Sequence, residues 1–475
     1  MKLRKQVRIH VPIAVSHRRV PSHIIGSSAA PEAKSNTSNP PTTVQHVGGL
    51  FFPVAGSIGL PARATITPKL TEKIVWAGGN LGSYSMAEEG VSKLSEQNIS
   101  ATRIRRQVQR VGEARLAERE EEVAKLKTID LPSRREGRSH QAAPQVGVVM
   151  MDGGRYQRRD HFANRGEPKN HGHSSDPKTH WRETKVGCLL SMTSDVHADD
   201  PCPQIPDAFV HAQVVQQIAK MGANTVANEQ PTPSDALINS ASESSSNGAV
   251  YKPPKLESRD IVASGENAAE FGWQLESRAL RLNFPSSQRQ AFIADGAQTN
   301  WRIQEQHFPH ATPIADLIHA LSYAWSASKI DEGEVTYQKW AQLIWQGDVA
   351  EVIEHLTTLQ SVHGKATEST PSDPRHHVDR ALTYFTNNAS RMSYPKYRQQ
   401  GLPITSAHIE STVKLINRRI KGTEKFWDRE ASEAVLQLRA DYLSDSKPMD
   451  GFWRRYHANQ NGSNAYKASP RTQTA

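Results

Sequence analysis

The sequence predicts an α/β fold: a sheet domain interrupted late by an all-α block, preceded by an all-α region and a basic arm. Three observations carry this. Short apolar runs ending at an acid and a glycine, residues 146–152 and 290–295, have the length and boundaries of buried strands. Between residues 266 and 328 such runs alternate with helical patterns, as in an α/β sheet. Residues 333–400 are mostly helical and carry their own apolar cluster, from Trp340, Ile344 and Trp345 to Val352 and Leu356.

The chain has 475 residues, enough for roughly two to four domains. Its 58 Lys and Arg outnumber 49 Asp and Glu, a formal charge of +9 that points to a polyanionic partner. Two cysteines, Cys188 and Cys202, leave no room for a disulfide framework or a Cys-rich zinc module and suit a reducing cytoplasm. No apolar run approaches a membrane span, and the stretch 11–15 is too short for a secretory signal. A cytoplasmic, nucleoid-associated protein without a membrane contact is expected.

In chain order, residues 1–48 are rich in Ser, Pro, His and basic residues and are expected to form a disordered basic arm. Residues 51–60 are a small apolar packing patch. Residues 83–112, within a region 49–128, read as two short helices joined by a turn at Gln97, Asn98 and Ile99. Ser85 and Glu88 have capping-box spacing for the first, and Ser100 caps the second. On the second, Ile104, Val108 and Val111 share one face, and Arg103, Arg106, Gln107 and Arg110 cover the rest. This is the helix-turn-helix pattern, in which Arg reads guanine and Gln adenine in the major groove. The alternative is a solvated basic helix. Residues 114–127 continue as a charged spacer or dimer contact, and 129–145 are a linker.

The sheet domain opens at residues 146–332. Its first strand ends at Asp152, and residues 180–193 form the paired strand. The polar, basic stretch 158–178 between them reads as a mobile loop. His161, His171, His173 and His180 have irregular spacing and no cysteine, which favours solvated loop histidines over a zinc site. A helical pattern lies within 203–221, and 223–256 is a Ser/Asn/Pro-rich surface loop. A helix at 266–283, a strand ending at Asp295, a helix at 301–308, an apolar run at 312–317 and a helix to 328 follow. The helical block spans 333–403. The last part, 404–457, holds helices at 408–421 and 429–443, and 458–475 are a disordered tail.

The chemistry lies in the acids. An Asp at the end of a core strand is costly unless it has a task, and Asp152 and Asp295 meet if their strands are neighbours. Glu410 lies near the start of a helix whose buried stripe is Ile409, Val413, Ile416 and Ile420. Lys414, Asn417, Arg418 and Lys421 share its other face. Acids converging from separate elements suit two Mg²⁺ or Mn²⁺ ions, and the nearby bases suit a phosphate-gripping surface. Asp316 and His319, three apart on one helical face, either orient the scissile strand and steady the metal ligands or are a helix N-cap and a core histidine. Trp301 is expected to pack rather than stack on a flipped base.

The stretches MDGGR at 151–155, ADGAQTNW at 294–301, the Asp316–His319 pair and HIESTVKLINRRIKGTEKFW at 408–427 resemble bacterial insertion-sequence transposases of the DDE type, in the group named for the Kra element. The resemblance spans residues 49 to about 455. It implies an RNase H-like mixed-sheet core with Asp152, Asp295 and Glu410 as catalytic, metal-binding acids, and the helical block as an insertion before the final Glu. It also implies that Asp316 and His319 form the acid-x-x-His signature of related transposases. The implied partners are double-stranded DNA, as terminal inverted repeats and target, with a homodimer or higher oligomer holding two ends. Arg155 joins Arg103, Arg106, Gln107, Arg110, Lys414, Arg418 and Lys421 as an expected DNA contact. Relatives commonly begin with a Cys-rich zinc knuckle, whereas residues 1–48 hold no cysteine. The competing expectations are a catalytically inactive DNA-binding regulator or decayed copy, and an RNase H-like nuclease that cuts without joining.

Overall fold

In the computed structural model, the described residues are 66–137, 142–159, 180–211, 252–366, 373–422 and 424–460. The expected arm at 1–48, the patch at 51–60, most of the loop at 158–178 with His161, His171 and His173, most of the 223–256 loop, and the tail beyond 460 lie outside them.

Three helices lead. The Thr67 hydroxyl caps α1 (Pro68–Asn80), whose Pro sits where no backbone donor is needed. The cap of α2 (Tyr84–Ser95) is Ser83, not Ser85: Ser83 is extended and accepts from the Met86 N–H, whereas Ser85 already lies inside the first turn. Glu96, at φ 55°, ends α2 in the left-handed region. Ser100 caps α3 (Ala101–Thr128), and the Glu88 carboxylate accepts from the Ala101 N–H across the turn, 3.0 Å. Ile104, Val108 and Val111 are buried, as their spacing predicts.

The charged half of α3 is not a free spacer. Gly112 lies against Ala434 so closely that a Cβ there would come within 2.5 Å of the alanine's own, so this crossing requires glycine. Past it, Arg115 donates to Asp441 at 2.9 Å and Arg119 to Gln437 at 3.0 Å. Both partners belong to α14 (Arg429–Leu443), which ties α3 to the rest. The expected linker holds a short helix, α4 (Leu131–Glu136), capped by Asp130.

The fold is mixed α/β around one open sheet. Its strands are β1 (Val146–Arg158), β2 (Trp181–Thr193), β3 (Lys255–Ser264), β4 (Arg289–Ala294), β5 (Thr312–Ala315) and the two-residue β6 (Phe426–Trp427). The order is β3-β2-β1-β4-β5, with β6 beside the far end of β1. β3, β2 and β1 run antiparallel, while β1, β4 and β5 run parallel. Val146 to Met151 are buried without alternation because β1 is central and covered on both faces. On one face lies α6 (Ala268–Arg281), whose Phe271 and Leu275 pack at Gly187; on the other lies α13 (Ala407–Ile420), whose Ile409, Val413 and Ile416 are buried.

Two expectations about strands need correction. Asp152 does not end its strand: β1 continues to Arg158, with Asp152 opposite Val186 and Gly153 opposite Lys185. The apolar run marks where β1 leaves the core, not where its ladder stops. β3 has no counterpart in the sequence reading, because its centre is charged. Asp260 is buried there, held by Arg278 at 3.6 Å and the Ser446 hydroxyl at 2.6 Å, and the apolar run after it, Ile261 to Ala263, is only three residues long.

Between β4 and β5 lies α7 (Gln298–His307), and α8 (Leu317–Ser328) follows β5. α5 (Asp207–Val210) is the described part of the helical pattern at 203–221. The helical block contains α9 (Glu334–Gln346), α10 (Val349–His363), α11 (Pro374–Asn388) and α12 (Tyr394–Gln399). It is fastened to the sheet by tyrosines: the Tyr394 hydroxyl donates to the Ala315 carbonyl at 2.9 Å. α15 (Pro448–Gln460) follows α14. Among the described residues no helix is long and apolar enough to cross a membrane.

Candidate acidic site

Parallel pairing sets up the site. The last register partners of β1 and β4 are Met150 and Ile293, and Asp152 and Asp295 each lie two residues further on. Here β4 ends while β1 continues beside β2, so the sheet opens between the two acids. Asp295 is fixed by its own loop: its Oδ1 accepts from the Ala297 N–H at 3.0 Å and the Asn300 side chain at 2.9 Å. Gly296 turns this loop at φ 97°, a conformation that favours glycine. The Asp152 Oδ1 accepts from the Gly153 N–H at 2.6 Å.

Glu410 arrives on α13, which packs across β1 and β2. It is not on an exposed helix face: only 6% of it is accessible. No hydrogen bond to its carboxylate is found among the described residues, although a buried carboxylate ordinarily has partners. Asp316 is fully buried and fully engaged. Its Oδ2 accepts from the His319 N–H and Nδ1, and its Oδ1 accepts from the Ser406 N–H at 2.8 Å. Asp316 is therefore the N-cap of α8, and it also ties α8 to the start of α13. His319 is no core histidine, since 37% of its side chain remains exposed.

Among the described residues, the His, Cys, Asp and Glu side chains close enough to share one ion are Asp316, His319 and Glu410, with ligand atoms within 4.8 Å of one another. This group differs from the expected one of Asp152, Asp295 and Glu410; Asp152 and Asp295 border it. Four carboxylates gathered without an ion repel one another, and His319 interacts electrostatically with all of them. The titration behaviour follows. Burial raises Asp152 to about 6, helped by Asp295 and Asp316 and opposed by the Gly153 N–H and His319. Burial raises Glu410 to about 8, with Asp316 and Asp152 adding and His319 and Lys414 opposing. Burial disfavours charge on His319, but the Asp316 hydrogen bond and the surrounding carboxylates outweigh it and lift the ring to about 9.

The donor set fits a hard divalent cation. Carboxylate oxygens dominate it, the excess charge is negative, and the Glu410 carboxylate accepts no hydrogen bond among the described residues. Both Asp316 oxygens already accept hydrogen bonds, one of them from the His319 ring, so Asp316 orients His319 beside Glu410.

The expected DNA contacts divide. Arg106 on α3 and Arg418 and Lys421 on α13 are exposed, as is Arg155 on β1. Lys414 is half-buried one turn from Glu410. Arg103 is half-exposed, and Gln107 is turned partly inward, its amide oxygen buried without a partner. Arg110 is exposed but donates to the Tyr456 hydroxyl at 2.8 Å. Trp301 is packed, with its indole N–H on Asn388 at 2.8 Å. His180 sits edge-on to Phe426.

Sequence reasoning missed Asn300 and Ser406. Asn300 was visible in the stretch DGAQTN, five residues after the acid it holds. Ser406 acts through its backbone and left no signal. Compared with protein-family models and with characterised proteins, the chain matches none.

Proposed function

We propose that the protein is a metal-dependent polynucleotidyl transferase of the DDE transposase type, with an RNase H-like core acting on double-stranded DNA. The observation that carries this reading is the meeting of three acids from distant parts of the chain. Asp152 and Asp295 leave adjacent parallel strands at matching positions, and Glu410 faces them from a crossing helix with its buried carboxylate unpartnered. The mixed sheet, three antiparallel strands followed by two parallel ones, is compatible with the mixed-sheet core this reading requires.

In this proposal Asp152, Asp295 and Glu410 hold two Mg²⁺ or Mn²⁺ ions. When bound, these ions neutralise charge on the attacking and leaving oxygens of a phosphodiester and activate a water or a 3′ hydroxyl. The chain's own groups prepare for that. Asn300 and the Ala297 N–H hold one Asp295 oxygen and leave the other available. Asp316 keeps His319 oriented and charged beside the acids, where it offsets part of their repulsion. Lys414, Arg418 and Lys421 continue from Glu410 along α13 at helical spacing, as a surface for the DNA backbone. Arg106 on α3 extends that basic surface on the helix-turn-helix. Terminal inverted repeats and target DNA are the proposed partners, with a dimer or larger assembly pairing two ends.

The test uses the full chain, Mn²⁺ and a 5′-labelled duplex carrying the DNA that flanks its coding region. Cleavage at defined ends and joining into a target plasmid are expected, with Asp295→Asn and Glu410→Gln binding the duplex but making no product. Equal product from Asp295→Asn, or product in EDTA, overturns the proposal. Binding without cleavage by the unaltered protein favours a DNA-binding regulator, and cleavage without joining favours a plain nuclease.

A further inference from the structure

The helical block meets the loop after Asp295 through Tyr384 and Asn388 of α11. Tyr384 on α11 lies directly over the loop after Asp295, so close that a Cβ on Gly296 would fall 2.6 Å from its ring. Its ring stacks on Tyr323 of α8, centroids 4.1 Å apart and 15° from parallel. Tyr323 is one helical turn beyond His319, so the stack continues the histidine's face. Tyr384 is only 7% exposed, and its hydroxyl is buried with no hydrogen-bond partner among the described residues. The groups that act on this hydroxyl electrostatically are Asp295, Asp316, Tyr323 and Tyr394.

A buried hydroxyl without a partner costs about 1–3 kcal/mol. Phenylalanine would fill the same space and keep the stack without that cost. Each neighbouring residue already has its own anchor: Asn388 receives the Trp301 indole N–H, and Tyr394 bonds the Ala315 carbonyl. The Tyr384 hydroxyl is thus a buried polar group of the helical block left without a partner, among the described residues, beside the Asp295 loop. The Asp316 oxygens are already taken, whereas one Asp295 oxygen is not.

We propose that Tyr384 is a positioning residue of the acidic site, whose hydroxyl donates to the free Asp295 oxygen or to a water beside it when Asp152, Asp295 and Glu410 hold a divalent cation. This rests on the metal-site reading above. It gives the helical block a role in the site besides packing: that block holds the loop carrying Asp295 in its cation-binding arrangement.

The experiment compares the full chain with Tyr384→Phe, Tyr323→Phe and Asp295→Asn by Mn²⁺ calorimetry and by melting with and without Mn²⁺. For Tyr384→Phe, melting without metal is expected to be unchanged or higher, because no hydrogen bond is lost. Its Mn²⁺ affinity is expected to fall about 5–10-fold, and the metal-induced rise in melting temperature to shrink with it. Tyr323→Phe is expected to bind like the unaltered chain, and Asp295→Asn to lose binding. Mn²⁺ affinity of Tyr384→Phe equal to the unaltered chain, with Asp295→Asn impaired, overturns the role of Tyr384 and leaves the metal site standing. A lower metal-free melting temperature for Tyr384→Phe also overturns it, since the hydroxyl would then have a purely structural partner. Failure of the unaltered chain to bind Mn²⁺ overturns both readings.

Discussion

One oxygen of Asp316 accepts two hydrogen bonds from His319, from the ring Nδ1 at 2.6 Å and from the backbone N–H at 3.1 Å. The same carboxylate caps α8 and, through Ser406, holds the first turn of the helix that carries Glu410. Three jobs on one side chain make its removal costly. Asp316→Ala is expected to destabilise the protein by roughly 2–4 kcal/mol, from the lost cap and the orphaned Ser406 N–H. His319, raised to about 9 in part by this carboxylate, is expected to fall toward its ordinary 6.5. Denaturant melts and an NMR titration of the histidine ring measure both.

The raised acids make metal-free stability depend on pH. Glu410 ionises near 4.5 in an unfolded chain but near 8 when folded, so between those values the folded state holds the extra proton. Stability then falls as pH rises through that window, by at most about 1.4 kcal/mol per pH unit for one group. His319 acts within the same cluster with the same slope, because its folded value also lies above its unfolded one. Its contribution is complete below 6.5 and disappears by about 9. Glu410→Gln is expected to remove the first dependence and raise the metal-free melting temperature at pH 7.5. A melt series from pH 5 to 8.5 on the unaltered chain and the variant measures this, and a lower melting temperature for Glu410→Gln at pH 7.5 contradicts it.

The buried charges joining α3, α6 and α14 are expected to matter more than any surface pair. Asp441, fully buried, accepts from Arg115 at 2.9 Å and Arg278 at 3.3 Å. Asp441→Ala leaves two buried guanidiniums short of a partner and is expected to cost about 3–5 kcal/mol. Lys93→Ala, which breaks an exposed pair with Glu89, is expected to leave the unfolding midpoint unchanged. Urea unfolding of the two variants gives the contrast directly.

The thiols report burial. Cys188 is fully buried on β2 beside Thr412, and burial pushes its thiol up to about 12. It is expected to stay unmodified by a thiol reagent at pH 8 while the protein is folded. Cys202 is half-buried, so the native chain is expected to titrate with at most one equivalent and the unfolded chain with two. Two fast equivalents in the native protein contradict the packing around β2.

Periodicity and punctuation reached far into this chain. The burial stripe of α13, the limits of α14, the Ser100 cap and the apolar runs that become β4 and β5 are local matters: side-chain spacing and short-range hydrogen bonds decide them, and both are written in sequence order. Asp152 and Asp295 were visible for the same reason, as acids where apolar runs stop. What lies off that axis was not. β3 hid because its apolar run, Ile261 to Ala263, is only three residues long and follows a charged stretch whose buried Asp260 is paired by Arg278 from elsewhere in the chain. The continuation of β1 past Asp152 depends on β2 as a partner, not on its own hydrophobicity.

Only the folded chain decided that Glu410 is buried with no hydrogen-bond partner among the described residues, that Asp316 is committed to Ser406, and that Tyr384 reaches the Asp295 loop. Each is a relation between residues tens of positions apart or more. Such relations are set by how layers pack, and desolvation and charge proximity exist only once those layers have met.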